Sequence, residues 1–210
     1  MMQTDDRKIH WETVYQEKSE TQVSWFQESP ALSLELISAL APAPEASIID
    51  VGGGASRLVD ELVMRGYGDV TVLDLSQAAL QAAQARLGAK AHGVEWIAAD
   101  AMHWRPQRTY DLWHDRAAFH FLTSPDDRAR YIQRLTEALS PGGHAIIATF
   151  ALDGPDRCSG LPVVRYDAAA LGAELGEVFS LIDTRAHAHS TPWGSIQRFQ
   201  FSVFQRRLSD

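Results

Sequence analysis

The sequence predicts an α/β fold, a doubly wound and mostly parallel sheet of seven strands with helices on both faces. Three observations predict it. Short apolar runs alternate with helical patterns from residue 47 to residue 150, which is how parallel strands joined by crossover helices read. The first run ends in an acidic residue, three glycines and a helical stretch, "SIIDVGGGASRL" at 47–58. The last two runs follow one another with no helix between them, so they are expected to pair antiparallel.

The elements follow in order. Ser29 is placed to cap a helix with Pro30 in its first turn, and Leu32, Leu36 and Leu40 recur along one face. "APAPEA" (41–46) is a short stiff linker to the first strand, Ser47–Val51. A helix over Ala55–Arg65 ends at the Gly66/Gly68 break, before strand Val70–Asp74. Ser76 is placed to cap helix Gln77–Leu87, and strands Val94–Ala98 and Tyr110–Asp115 come next. Ser124, Pro125, Asp126 and Asp127 open a helix reaching Leu139, with both acids near the positive end of its dipole. "SPGG" (140–143) turns the chain into strand His144–Phe150. Asp167 caps a short helix to Leu175, and strands Phe179–Ala188 and Ile196–Arg206 finish the chain.

Bulk properties bound the function. A chain of 210 residues, 45% hydrophobic and 22% charged, suits one soluble domain over 1–210. A formal charge of −8 and a pI near 5.4 argue against broad contact with nucleic-acid phosphates. The single cysteine, Cys158, rules out an internal disulfide and a cysteine-cluster zinc site, and fits a reducing cytoplasm. The N-terminal stretch is polar, and no apolar run reaches the ~20 residues needed to span a bilayer.

Glycines after a first strand let a ligand approach the backbone, and the following helix offers free N–H groups and a positive dipole end. Asp74 closes the second strand, where a carboxylate can accept ribose hydroxyls. Nicotinamide enzymes share these features. Three details lean away from a dinucleotide: Arg57 stands at the third glycine of GxGxxG, about 45 residues precede the first strand, and Asp100 lies in "VEWIAADAMHW" at the tip of the third strand, where it can meet an adenine amino group.

Asp50-x-Gly52-x-Gly54, Asp74, "AADAMHW" and "LSPGG", in that order, resemble class I S-adenosylmethionine-dependent methyltransferases across residues 46–150. The resemblance implies a Rossmann-like sheet of order 3-2-1-4-5-7-6 with the last strand antiparallel. It implies S-adenosyl-L-methionine as cofactor and S-adenosyl-L-homocysteine as product. Gly52, Gly53 and Gly54 would line the methionine part and ribose, Asp74 would bind the ribose with Leu75 beside the adenine, and Asp100, Ala101 and Met102 would contact the adenine; Asp50 and Ser76 are further cofactor-binding candidates. Plain turns and cap carboxylates are the competing reading of these residues. Ser56 departs from a family position that often holds glycine.

The front end, residues 1–45, is expected to form a helical lid before a cofactor-binding core (46–150) and a 151–210 segment with the acceptor loop and antiparallel pair. Its Trp11, Tyr15 and Trp25 resemble the N-termini of thiopurine-methyltransferase-like and lysine-methyltransferase-like enzymes, where aromatics border the cofactor. They either pack on the sheet or wall off the site, and dual use is expected. "YDLWHDRAAFHFL" (110–122) ends the fourth strand where acceptors approach, and its "DRAA" resembles "DRGA" of thiopurine-type enzymes. His120 is the candidate base, with Asp115 and His114 as further catalytic candidates. Asp115 is also a candidate against the cofactor, or a residue that merely ties loops. Arg116, Phe119, His120, Arg165 and Trp193 are acceptor candidates, and each has a packing or salt-bridge alternative. His187 and His189 share a strand face, yet no third metal ligand is identifiable, so no metal is assigned.

The expected function is methyl transfer to a nitrogen, sulfur or oxygen atom of a small-molecule acceptor, by a cytoplasmic monomer or homodimer without nucleic-acid or membrane partners. Protein lysine N-methylation is the alternative in the same chemistry. A non-catalytic S-adenosylmethionine-binding protein is the alternative of another class.

Overall fold

A computed structural model describes residues 4–208; the outermost ends of the expected domain, 1–3 and 209–210, lie outside the described residues. The main sheet contains β1 (Ser47–Val51), β2 (Asp69–Asp74), β3 (Val94–Ala98), β4 (Tyr110–Arg116), β5 (Leu139–Phe150), β6 (Phe179–Ser190) and β7 (Ile196–Arg206). In this numbering the order is β3-β2-β1-β4-β5-β7-β6. The first five strands are parallel, and β7 runs antiparallel to both β5 and β6. A separate ribbon pairs Arg157–Cys158 with Leu161–Pro162. The helices are α1 (Thr4–Glu17), α2 (Ala31–Leu40), α3 (Leu58–Met64), α4 (Gln77–Leu87), α5 (Pro125–Ala138) and α6 (Ala168–Leu175).

Both faces of the sheet are covered, which is why its central strands are apolar without alternation. Ile48 and Ile49 are neighbours on β1, point opposite ways and are both fully buried. Ile48 packs with Leu34 and Ile37 of α2, Leu58 and Leu62 of α3 and Leu80 of α4. Ile49 packs in the opposite core with Tyr131 and Leu135 of α5 and Leu171 of α6. The buried face of α5 is Asp127, Tyr131, Leu135 and Ala138, a helical spacing. Truncating Leu135 to Ala in such a core costs about 2–5 kcal/mol.

Strands β1, β3 and β7 and helix α4 keep their expected bounds. Ser76 caps α4 by accepting from the Ala79 amide at 3.1 Å, and Asp167 caps α6 from Ala170 at 2.7 Å. Other expectations need correction. Pro30, not Ser29, occupies the N-cap of α2. Helix α3 starts at Leu58 rather than Ala55, because Gly52 (φ +70°) and Gly54 (φ +50°) carry a turn that closes with Ser56 N–H on Gly53 O at 2.8 Å. Ser124 sits at the N-cap of α5, but its side chain makes no capping bond. The "SPGG" stretch lies inside β5, where the pairing shifts between Tyr110 and Leu112 and Gly142 takes φ +79°. Strand β6 runs on to Ser190, held by pairing with β7 along its whole length.

Candidate active site

The tips of β1 to β4 open on one cleft with about 870 Å3 of free space, its mouth included. Its floor is Gly52 after β1, Asp74 and Leu75 at the end of β2, Ala99 to Met102 after β3, and Arg116 to Ala118 at the end of β4. This is where ligands bind in open α/β sheets, beyond the carboxyl ends of the strands. Arg7, Trp11, Tyr15 and Trp25 of the front segment form the opposite wall, and Phe121, Leu122, Tyr131 and Cys158 close the far side. A second recess of about 570 Å3 continues past Gly52 and Gly53, between Trp25, Phe26, Asp50, His114 and Arg116.

The glycine turn admits no larger residue without movement. A Cβ on Gly52 would lie 2.6 Å from that of Ala118, and one on Gly53 would lie 2.5 Å from Asp50 Oδ2. A Cβ on Gly54 would meet Tyr15 Oη at 2.8 Å and Asp74 Oδ2 at 3.1 Å. Gly53 is therefore small for packing on Asp50, whereas Gly54 keeps the space between the Tyr15 ring and the Asp74 carboxylate. Arg86 of α4 pins the far side of the turn, donating to Ala55 O at 3.0 Å and Ser56 O at 2.9 Å while ion-paired to Asp60 and Glu20.

Asp74 is buried at the cleft floor, with its Oδ1 accepting from Ser76 N–H at 2.7 Å. Burial pushes its carboxyl up to about 7; the Ser76 and Gly54 amides pull the other way, and the negative charge of Asp50 and Glu12 adds to the rise. Such a group gains from a ligand that donates hydrogen bonds to it. Asp100 accepts from Met102 N–H at 3.0 Å and lies 4.0 Å from Arg7. Ser76 does not line the cleft, because its hydroxyl caps α4 and donates to Glu12.

The front segment is bolted down at two points. Glu12 of α1 accepts from Ser76 Oγ at 2.7 Å, Ala78 N–H at 2.9 Å and Gln77 N–H at 3.0 Å, so it caps α4 from outside. Arg7 reaches across to Asp127 at 3.2 Å. Trp11 stands edge-to-face against Trp25 at 5.6 Å and Phe121 at 5.1 Å, and Trp25 Nε1 donates to Tyr15 Oη at 3.2 Å. These aromatics pack on one another and line the cleft at once.

The catalytic candidates sit elsewhere than expected. His120 is fully buried between Phe121 and Phe150, and its Nδ1 accepts the Phe150 amide at 3.4 Å. Burial, with the charge of Arg116, lowers its pKa to about 3, so it stays neutral and outside the cleft, out of reach as a base. His114 lines the second recess rather than the main cleft, with Nδ1 on Asp50 at 2.7 Å and Nε2 on Ser33 at 2.9 Å. Asp115 lies under the floor, accepting from Ala118 and Phe119 amides and the Tyr131 hydroxyl. Its role is to fix the loop after β4; burial first, offset by those bonds, raises it to about 6. Phe119 is a core residue against Tyr131 and Tyr166. Arg165 is exposed and donates to Gly154 O, and Trp193 is 61% exposed at the β6–β7 turn, both away from the cleft. His189 bonds Ser24 O at 2.7 Å and His187 meets the edge of Phe201.

Sequence reasoning missed Arg7, Phe121 and Tyr131 as cleft residues. Tyr131 shares a face with Asp127 and Leu135, so helical spacing on α5 would have flagged it. Arg7 and Phe121 reach the cleft through long-range packing that no local pattern encodes.

Residues 48–143 match a family described as a methyltransferase domain. The chain is 29% identical over 116 residues to the ubiquinone/menaquinone biosynthesis C-methyltransferase UbiE of Roseobacter denitrificans, a match covering 53% of this chain and 45% of that protein. The match thus spans less than half of that relative. Among solved structures, one concerned with converting a disulfide bond into a thioacetal group during echinomycin biosynthesis aligns at TM-score 0.76 and 20% identity, over 97% of this chain and 94% of that one. The 1,6-didemethyltoxoflavin-N1-methyltransferase of Burkholderia thailandensis, solved with 1,6-didemethyltoxoflavin and S-adenosylhomocysteine, aligns at 0.70 and 16% identity over 99% and 92%. At these identities the likeness establishes a common fold.

Proposed function

We propose, from the match of residues 48–143 to a methyltransferase domain and the geometry of the cleft, that this chain is a class I S-adenosylmethionine-dependent methyltransferase that moves a methyl group from S-adenosyl-L-methionine to a nitrogen, sulfur or oxygen atom of a small-molecule acceptor. The observation that carries the reading is Asp74, a buried carboxylate facing a turn that tolerates no side chain at Gly54. The residues present fit the cofactor. Asp74 would accept its ribose hydroxyls, Leu75, Asp100, Ala101 and Met102 would hold its adenine, and Gly52 to Gly54 would leave room for its amino-acid tail. When bound, the cofactor supplies a methyl carbon that is already electrophilic.

The chain's own residues then have two tasks, alignment and dryness. Trp11, Trp25 and Phe121 wall the cleft with rings in contact, which excludes water from the reacting atoms. The glycine turn, pinned by Arg86, and the β4 loop, pinned by Asp115, fix the two sides between which the acceptor must align. Among the described residues that line the main cleft there is no imidazole, and His114, which lines the second recess, has both ring nitrogens engaged by Asp50 and Ser33. This arrangement favours an acceptor atom that attacks without a histidine base, such as a thiolate or a neutral nitrogen.

The test is calorimetric titration with S-adenosylmethionine and S-adenosylhomocysteine, followed by release of S-adenosylhomocysteine in the presence of small-molecule pools or of lysate protein. Binding plus turnover with small molecules is the expected result. Methyl label on lysate protein alone would transfer the reading to protein lysine methylation, and binding without turnover to a sensor. Absence of binding by either nucleoside would overturn it.

A further inference from the structure

Two arginines line the cleft, and they differ in what answers their charge. Arg7 is ion-paired to Asp127. Among the described residues no carboxylate pairs with Arg116. Its Nη1 donates to Trp25 O at 2.9 Å, and its guanidinium lies 4.8 Å over the Phe199 ring. Its Nε and Nη2 are buried and find no acceptor.

The neighbours do not supply the missing acceptors. Asp50 adds its negative charge, which favours the Arg116 cation, but its Oδ1 is taken by His114 at 2.7 Å and the two Arg116 donors stay unpartnered. Burial raises the Cys158 thiol to about 11, so it stands beside Arg116 as a neutral group. His120, His187 and His189 are all pushed towards the neutral form by burial, with the Arg116 charge contributing. Arg116 itself is lowered by burial only to about 10 and keeps its proton at neutral pH. A buried cation with two idle donors is costly, because each lost its water and gained nothing in return. Arg116 lines both the main cleft and the second recess. A planar guanidinium with adjacent free N–H groups matches a carboxylate in a two-pronged bond.

We propose that Arg116 is a carboxylate anchor at the junction of the two halves of the cleft. The inference rests on the methyl-transfer reading for the identity of its ligands, of which two bring a carboxylate: the amino-acid tail of the cofactor and an acidic acceptor. The aromatic walls of Trp11, Trp25 and Phe121 beside it suit a flat acid.

The experiment titrates wild type, Arg116→Gln and Arg116→Met with S-adenosylhomocysteine and with 5′-methylthioadenosine, which lacks the tail. It then titrates the same proteins, ligand-free and saturated with S-adenosylhomocysteine, with benzoate and with neutral benzamide. If the anchor serves the tail, both variants lose about 10–100-fold in affinity for S-adenosylhomocysteine and none for methylthioadenosine. If it serves the acceptor, they lose a similar factor for benzoate alone. Either result supports the proposal and names the source. Unchanged affinities in both arms overturn it. Wild type that binds neither nucleoside refutes the methyl-transfer reading instead, and the ligand-free benzoate arm then decides the anchor. Arg116→Met guards against misfolding: removal of an unpaired buried charge is expected to hold or raise Tm.

Discussion

Asp74 concentrates the chemistry of the cleft in one carboxyl, and its raised pKa has two measurable consequences. A ligand that donates hydroxyls to it favours the ionised form. Nucleoside binding is therefore expected to be tighter at pH 8 than at pH 6, and to release protons near pH 7, the range to which burial has moved the group. Calorimetry in two buffers of different ionisation heat measures both, and a flat pH dependence would remove Asp74 from the binding reaction. The second consequence concerns the ligand-free protein. Because the folded pKa lies above the unfolded one, the folded state holds more protons between pH ~4 and ~7, and stability from this group falls as pH rises through that window. With a shift from 3.8 to about 7, the bound on that loss is ~4 kcal/mol. Asp74→Asn is expected to abolish nucleoside binding yet raise Tm at pH 8 and leave it little changed at pH 4. His120 makes the opposite case. His120→Ala should lower stability by about 2–4 kcal/mol through the gap left between Phe121 and Phe150. It should leave the pH profile of turnover with its limbs in place; loss of a limb would show that the imidazole titrates in the reaction after all. At this scale the sequence was half legible. Glycines and strand-end carboxylates announce themselves by position, since only certain residue types fit those backbone sites. The burial of His114, Asp115 and His120 does not, because alternation along β4 says which face a side chain takes but not whether that face meets a cavity or a core.

The front helix α1 is an element whose position depends on polar ties from Arg7, His10, Glu12 and Tyr15 and on aromatic contacts rather than on a continuous apolar face. Glu12 is its main tie, and though burial alone would raise that carboxyl, bonds from Ser76, Ala78 and Gln77, helped by Lys8, hold it below the ordinary value. Glu12→Ala is expected to release α1 from α4 while the sheet remains folded. Hydrogen exchange should quicken within Thr4–Glu17 and at the start of α4, and S-adenosylhomocysteine affinity should fall several-fold as Trp11 and Tyr15 leave the wall. Unaltered protection in α1 would mean that the Arg7–Asp127 pair and the aromatic contacts suffice to hold it. The sequence showed α1 as aromatic residues on a polar helix, which fits both packing and lining. It did not show Glu12 as a cap, because the helix it caps lies some 65 residues away. By contrast α4 was legible to the residue, since its Ser76 cap is local.

For the molecule as a whole, the sheet order follows from strand runs separated by helices, and from the one place where the helix is missing, between β6 and β7. Its irregularities were illegible for a different reason: the shift inside β5, where Leu139 pairs with Tyr110 and His144 with Leu112, exists only in the pairing with a neighbouring strand. A cleft built on the tips of four strands couples ligand binding to the stability of the entire sheet. S-adenosylhomocysteine at one hundred times its Kd is expected to stabilise the fold by about 2.7 kcal/mol, a rise in Tm of about 5–10 °C for a chain of this size. Thermal shift measures it directly, and Asp74→Asn should lose it entirely. No helix among the described residues is long and apolar enough to cross a membrane. The crossing of Trp11 and Trp25 at 5.6 Å on the rim of the cleft gives the protein an optical gauge of its own. Their indole emission will change when a ring system slides beneath them, whereas Trp193, bathed in water at the distant hairpin tip, contributes a steady red-shifted background that Trp193→Phe would subtract.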